Sequence, residues 1–565
     1  MIKKSKLRAL SFLVLALAAL GVAGACAGEK EAAGGELRLP LTGEPQTLDP
    51  NRAFFANDIT LVKSLFRGLL WFDEELNLVP MAAREVPTTA NGGISADGVT
   101  YTFRLRDNLK WSDGQPLTAR DFEYSVKRFL DPRLAAEYAS FYYDIKGAEE
   151  FNTSKATDEA TLARLRDGVG VKAADDRTLA FTLNAPRPTF LQLTALWPIF
   201  PVRQDVIDRF GDRWTEAGNL IGNGPFTLQE WVHQSHLVLA PNPNWWGPEK
   251  PSVEKLTFRI ITDRIQLYNA YLAGELDFAF IPPEQTDAVR NDPTLSTENV
   301  IHTELTTFAW QFNNQRAPFN NKLVRQAFSM AVDRDALVQA VFRGVGQPAY
   351  SWIPPGMPDH DANLGLEYKL NPTRARELLA QAGFPDGRGL PKVTFTFAQT
   401  GTNPLVAQFA QQQFTQSLGI DIDLDAVEPR VFQQRIGEND IQLSLLGWGA
   451  DYPDPDNWLP ELWGCKQRDA ASKCIVYAGN NHNLYDNPEF DRLMAQAARE
   501  LDNDKRLQVY AQAQRLLVSD APVIFTYYRA RNLLIKPYVR GFTRTGLDGG
   551  TPGDWFYERV SIARG

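Results

Sequence analysis

GWGADYPDP, residues 447–455, follows an apolar run at 441–446 that has the length and composition of a buried strand. The run stops abruptly at Gly447-Trp448-Gly449. Small residues there let backbone come close to a ligand, Trp448 offers a flat apolar wall, and Asp451 offers a charge. A carboxylate held at a strand end suits an ammonium group. The same residues fit a turn or helix-capping Asp beside a core Trp, and the segment by itself leaves both readings open. Outward from it, strands are expected at 393–397, 421–426, 441–446 and 523–528, with helices at 323–342, 372–382, 404–418 and 491–517. Strands alternating with helices make an α/β domain.

Further upstream the pattern is more mixed. Residues 36–39 and 101–105 alternate polar and apolar, as half-buried strands do. A Gly-rich hairpin is expected near 91–98. Thr118 can cap a helix whose Asp121 reaches back to the free backbone N–H groups, and Phe122, Val126 and Phe129 recur at helical spacing. Asp113-Gly114 reads as a turn fixed by Trp111, a structural feature and not a binding one. The 565 residues exceed what one core accommodates, so two or three domains are expected. No Pro/Ser-rich linker divides them, which suits domains joined by strands that cross between them.

The start of the chain reads as an address label. Lys3, Lys4, Lys6 and Arg8 precede an apolar stretch at about 9–22, too short for a membrane span and proportioned as a secretory signal. Ala23-Gly24-Ala25-Cys26 resembles a bacterial lipobox, which implies cleavage after residue 25 and a diacylglycerol on Cys26, with a flexible tether to residue 35. Ordinary cleavage nearby, with Cys26 a bystander, is the alternative. No later segment is apolar enough to span a bilayer. The net charge of −9 is interspersed with basic residues, which argues against nucleic-acid binding. Cys465 and Cys474 are expected to form a disulfide in an oxidising compartment, worth about 2–3 kcal/mol for so short a loop. Two Cys without partnering His do not make a zinc site.

Catalytic groups are hard to find. The five His are His233, His236, His302, His360 and His482; the first two lie in a strand-like stretch, where positions three apart face opposite sides. No nucleophile elbow, zincin or phosphate-loop motif occurs. Asp451, Asp454 and Asp456, broken by Pro453 and Pro455, do not fit a calcium loop. No enzyme, metal or cofactor is expected.

The chain resembles the family 5 extracellular solute-binding proteins, the oligopeptide- and dipeptide-binding lipoproteins of bacterial ABC importers. The likeness runs collinearly through LTGEPQTLDP (41–50), GVTYTFRLRDNLKWSDGQPLTARDF (98–122), NGPFTLQEW (223–231), NPNWWG (242–247), YLAGELD (271–277), NNQRAPFNNKLVRQAFSMAVDRDALV (313–338) and GWGADYPDP. It implies an α/β fold of the two-lobed periplasmic-binding type (type II, cluster C), with a hinge and an additional inserted α/β domain. Lobe I is then 36–66, 201–304 and 531–565, the inserted domain 67–200, and lobe II 305–530. The resemblance also implies residue roles. Asp451 would pair with a peptide's free α-amino group, Gly447 would bond the peptide through its backbone, and Tyr138 would cover the ligand. Phe54, Ala56 and Asn57 would line the amino-terminal end, with Phe54 standing where the oligopeptide binder has Glu. Residues 307–311 would line side-chain pockets, Thr307 among them, with Trp310 facing either ligand or core. At the positions aligned with the carboxylate-binding basic groups stand Phe342, Pro404, Ile436 and Leu445; Arg343, Arg430 and Arg435 lie nearby. The expected partners are a peptide ligand and the membrane permease of the importer, the expected state a lipid-anchored extracytoplasmic monomer. A non-peptide solute (oligosaccharide, opine or nickel complex) and a secreted hydrolase are the alternatives.

Overall fold

The computed structural model describes residues 35–563. The leader, Cys26 and most of the tether lie outside these residues. Glu36–Leu41 (β1) buries Leu37, Leu39 and Leu41 completely, one side of a period-two pattern. It is followed by the helix Ala56–Leu65 (α1). Phe226–Val232 (β2), His236–Pro241 (β3) and Lys255–Ile260 (β4) complete a four-stranded sheet in the order β1-β4-β3-β2, β1 running parallel to β4. Between α1 and β2 a separate sheet forms from Thr100–Arg104, Thr178–Thr182 and Val171–Asp175. The helix Ala119–Phe129 packs on it with Phe122, Val126 and Phe129 buried. Its start is fixed by Asp121, which accepts from the Thr118 backbone N–H at 2.7 Å.

The larger sheet is built on two long strands. Arg264–Leu272 (α2) and Phe278–Phe280 (β5) lead into Asn299–Phe312 (β6), and the sheet continues through Thr394–Ala398 (β7), Asp423–Val427 (β8), Leu443–Gly449 (β9) and Val523–Ile535 (β10), ordered β5-β10-β6-β9-β7-β8. β6 and β10 pass between the two lobes: one end of β10 pairs with β5, while β6 pairs farther along with β9. Midway the β6/β10 register slips between Thr303 and Thr307. There the Leu305 N–H donates to Gly546 O and its carbonyl accepts from the Ala450 N–H, both at 2.8 Å. The slip exchanges strand pairing for bonds to loops of either lobe, a local bend of the kind bulges produce.

Several expectations shift at element ends. The helix expected at 323–342 is two, Lys322–Met330 and Arg334–Phe342 (α3), because Asp333 caps the second by accepting from the Ala336 N–H at 2.9 Å. The one expected at 491–517 likewise divides into Pro488–Ala497 and Asn503–Asp520, with Asp502 as the cap. Apolar spacing continued across both breaks and concealed them. The strand expected at 523–528 runs on to Ile535. Cys465 and Cys474 are joined as a disulfide across a hairpin. His233 lies in the β2–β3 turn instead of a strand, between Glu44 (2.9 Å) and Glu216 (3.3 Å). Trp111 is buried and Gly114 takes positive φ in the turn it fixes. Among the described residues no helix is long and apolar enough to cross a membrane.

Candidate functional site

β9 explains why the opening segment matters. On one side it pairs with β6 along Thr306–Phe312. On the other it meets β7 only at Leu443 and Ser444. From Leu445 to Gly449 that outer edge has no strand partner among the described residues, which leaves backbone N–H and C=O groups on that side outside the sheet's ladder, and Gly449 lines the cavity at Asp451. Gly447 is exposed on this edge, directly opposite Phe308. A Cβ there would stand 2.5 Å from Phe308 Cε1, so only glycine fits beside that ring. Phe308 in turn stacks on Tyr527, centroids 4.9 Å apart. Gly447→Ala is expected to push Phe308 off Tyr527, costing about 1–3 kcal/mol of stability. Ligand affinity should fall tenfold or more, and calorimetric titration beside urea denaturation checks both.

Asp451 lies just past the end of this edge. Tyr138 Oη donates to Asp451 Oδ1 and Asn457 Nδ2 to Oδ2, each at 3.0 Å, and the Asp451 N–H returns a bond to Asn457 Oδ1 at 2.8 Å. The three acids of the segment are treated differently. Asp454 takes both Nη groups of Arg506, at 2.7 and 2.6 Å. Asp456 takes Arg187 at 3.1 Å and the Thr189 hydroxyl at 2.7 Å. Asp451 has no cation among the described residues, only neutral donors. Burial pushes its carboxyl above the ordinary range, against the two hydrogen bonds. Asp456 is also buried, yet Arg187 and its hydroxyl partners hold it below that range.

The surroundings of Asp451 form a cavity of about 160 Å³ between the lobes. Phe54, Ala56 and the 546–550 loop line it from one side, Thr306, Gly449, Ala450 and Arg529 from the other. Phe54 and Phe55 are 45% and 49% exposed, and Phe54 and Trp197 both pack on the Tyr138 ring. The floor is a buried ion pair, Lys63 with Asp554 at 2.5 Å, beside Asp548, whose carboxyl burial and Asp554 push up to about 7.

The structure thus brings together Asp451, Tyr138, Phe54, Ala56 and the Gly447 edge. Three expected site residues are placed differently. Trp310 is fully buried against Phe395 and Phe414, so it belongs to the core. Thr307 is buried too, its hydroxyl donating to Trp352 O at 2.8 Å, and does not line the cleft. Asn57 sits in the first turn of α1, where its amide donates to Gly43 O at 3.0 Å, away from the cavity. Trp448 is half-buried, its indole N–H enclosed without an acceptor among the described residues. Near the uncharged positions, Phe342 packs on Tyr527 and Arg435 is held by Asp425 at 2.8 Å. Phe308 falls within the expected 307–311 stretch, whereas Arg529 and the 546–550 loop were missed; only the glycines of GLDGG hinted at close approach.

Two lobes joined by crossing strands, with an uncompensated carboxylate and an open strand edge between them, define a cleft-type solute-binding protein. The chain belongs to the bacterial extracellular solute-binding proteins, family 5, whose model matches residues 77–470. Members bind solutes for transport outside the cytoplasm and are not enzymes. The chain is 31% identical over 529 residues to the oligopeptide-binding protein OppA of Bacillus subtilis, covering 92% of each. It is 31% identical over 506 residues to a protein of Escherichia coli titled "Probable deoxycholate-binding periplasmic protein YgiS", covering 88% of this chain and 89% of that one. Among solved structures, the Escherichia coli murein tripeptide binding protein MppA superposes with a TM-score of 0.77 at 28% identity, covering 94% of this chain and 99% of that one.

Proposed function

We propose that this protein is the extracytoplasmic binding subunit of an ABC importer, capturing peptides by their free amino group between its lobes and passing them to a membrane permease. In this reading Cys26 carries the lipid anchor and the protein acts as a monomer. The observation that carries it is Asp451: an enclosed carboxylate with neutral hydrogen-bond donors, no cation among the described residues, and an open strand edge leading up to it. An α-ammonium brings the missing charge and three N–H donors, while the peptide main chain adds to Leu445–Gly449 as a further strand. Backbone pairing is indifferent to side chains, and hydrated pockets tolerate variety. Closure of the lobes about β6 and β10 then encloses the ligand. The relatives named for oligopeptides and murein tripeptide accord with this reading.

The test is calorimetric titration with free-amino peptides, their N-acetylated forms, oligosaccharides, opines and nickel complexes. The free-amino peptides are expected to bind far more tightly than every other class; preference for any other class would overturn the reading. Acid supplies a further check. The ammonium needs Asp451 ionised, and burial has raised its pKa, so affinity should begin to fall at a higher pH than for an exposed Asp, near 3.9. Titrations between about pH 7.5 and 4.5 should show this loss for free-amino peptides.

A further inference from the structure

Five charged residues line the cavity beside the β9 edge: Asp451, Lys63, Asp548, Asp554 and Arg529. Three of them are closed to a ligand. The side chains of Lys63 and Asp554 are 3% and 1% exposed and pair with each other. Asp548 is enclosed; its Oδ2 accepts from the Thr545 and Gly553 N–H groups at 2.8 and 2.9 Å, and its Oδ1 from the Thr545 hydroxyl at 3.1 Å. Arg529, by contrast, keeps 31% of its side chain exposed, and Asp451 is half-buried. The charges this cavity offers to a ligand are therefore one carboxylate, Asp451, and one guanidinium, Arg529.

Arg529 lies on β10 within the register slip, between Tyr528, which faces Thr307, and Ala530, which faces Thr303. Its Nε pairs with Glu304 of β6, and its guanidinium carbon lies 5.5 Å from the Phe308 ring centroid. Its two Nη groups bond to no protein atom among the described residues. Glu304 also pairs with Arg531, whose Nη groups are taken up by the Gly550 and Gly549 carbonyls at 2.9 Å each. One buried carboxylate thus serves two guanidiniums, and of these only Arg529 has Nη donors to spare. A planar fork held at Nε and open at Nη matches a carboxylate in two-point geometry. Gly449, Ala450 and Asp451 line the cavity, whereas residues 445–448 do not. A peptide whose ammonium meets Asp451 and whose main chain pairs along 445–449 therefore takes its backbone out of the cavity and leaves its first side chain there. Phe54, Ile59, Trp197, Leu547 and Trp555 give that side chain apolar walls. The volume of about 160 Å³ holds roughly five water-sized atoms, the bulk of a glutamate side chain.

We propose that Arg529 makes this cavity a subsite for an acidic first residue, its Nη groups taking the side-chain carboxylate of a peptide that begins with glutamate or aspartate. The inference rests on the peptide reading above and narrows it to ligands that carry an ammonium and a carboxylate on the same residue. Asp451 then meets the positive group and Arg529 the negative one, and each leaves water for a partner of opposite charge.

The C-terminal amides of Glu-Ala-Ala and Gln-Ala-Ala differ only in the side-chain carboxylate, and trialanine and its amide only in the terminal one. All four are titrated calorimetrically into the wild type, Arg529→Gln and Arg529→Lys. The wild type should bind the Glu peptide about tenfold more tightly than the Gln peptide. Arg529→Gln should remove that preference while leaving the Gln peptide within about twofold, and Arg529→Lys should restore part of it. Equal affinity for the Glu and Gln peptides in the wild type would overturn the subsite, as would equal weakening of both in a folded Arg529→Gln. A preference for trialanine over its amide that Arg529→Gln abolishes would assign the arginine to the terminal carboxylate, and so overturn it too. If the Gln peptide binds, its N-acetyl form does not, and the Glu side chain adds nothing, the subsite falls and the peptide reading stands. If no tripeptide binds, both fall. Thermal midpoints near the wild-type value show the variants folded; should Arg529→Gln unfold, the wild-type comparison and Arg529→Lys decide.

Discussion

Replacing Asp451 by alanine is expected to weaken binding of free-amino peptides by roughly 100- to 1,000-fold, about 3–4 kcal/mol, and to leave N-acetylated peptides at their already weak level. The size follows from enclosure. An ammonium in this cleft leaves water and finds one carboxylate, with Tyr138 and Asn457 already oriented on it. Removing that carboxylate leaves the ammonium buried without a counter-charge, and the desolvation cost falls wholly on binding. The empty protein should respond in the opposite sense to the isosteric change. The folded-state pKa of Asp451 is raised, so its ionised form costs stability at neutral pH, and the cost disappears as pH falls through that pKa. Asp451→Asn should therefore leave the thermal midpoint unchanged or higher while abolishing free-amine recognition. Titration and thermal unfolding of the same two variants check the pair; a binding loss equal for free and N-acetylated peptides would remove Asp451 from its role.

The largest effect on stability is expected at Arg334. Its guanidinium is fully buried at the start of α3 with no carboxylate bonded to it among the described residues. It donates instead to the carbonyls of Ala349, Phe525, Ser329, Val332 and Tyr368 and to the Ser329 hydroxyl, at 2.6–3.2 Å. The Tyr350 ring lies 4.8 Å from the charge. Burial lowers its pKa to about 10, still far above neutrality, so the charge is retained. These bonds draw α3, β10 and the chain on either side of residues 349 and 368 onto one group. Arg334→Met keeps much of the volume but orphans several buried carbonyls, each costing about 1–3 kcal/mol in part relieved by relaxation. A net loss of roughly 4 kcal/mol is expected, read as a lower urea midpoint. A change below about 1 kcal/mol would show that the carbonyls find other donors.

The two variants also differ in what the residues alone make visible. Asp451 was legible because its neighbours are distinctive: a strand ending in Gly-Trp-Gly, then an acid, in a chain whose other motifs fall in collinear order. Arg334 was not, since nothing local separates an arginine that organises carbonyls from one in solvent. The same holds within 307–311. Period-two alternation tells which residues share a face of β6, but not which face meets the cleft. Pairing with β9 and packing on Phe395 and Phe414 put Trp310 in the core.

By itself, the sequence determined the α/β class, the family, the strand that ends at Gly447 and the acid that follows it, because these rest on local periodicity, turn chemistry and ordered motifs. Tertiary structure alone decided that Asp451, among three neighbouring acids, is the one without a cation among the described residues. Arg187 and Arg506 reach Asp456 and Asp454 from distant segments, and a charge balance of that kind exists only once the chain has folded.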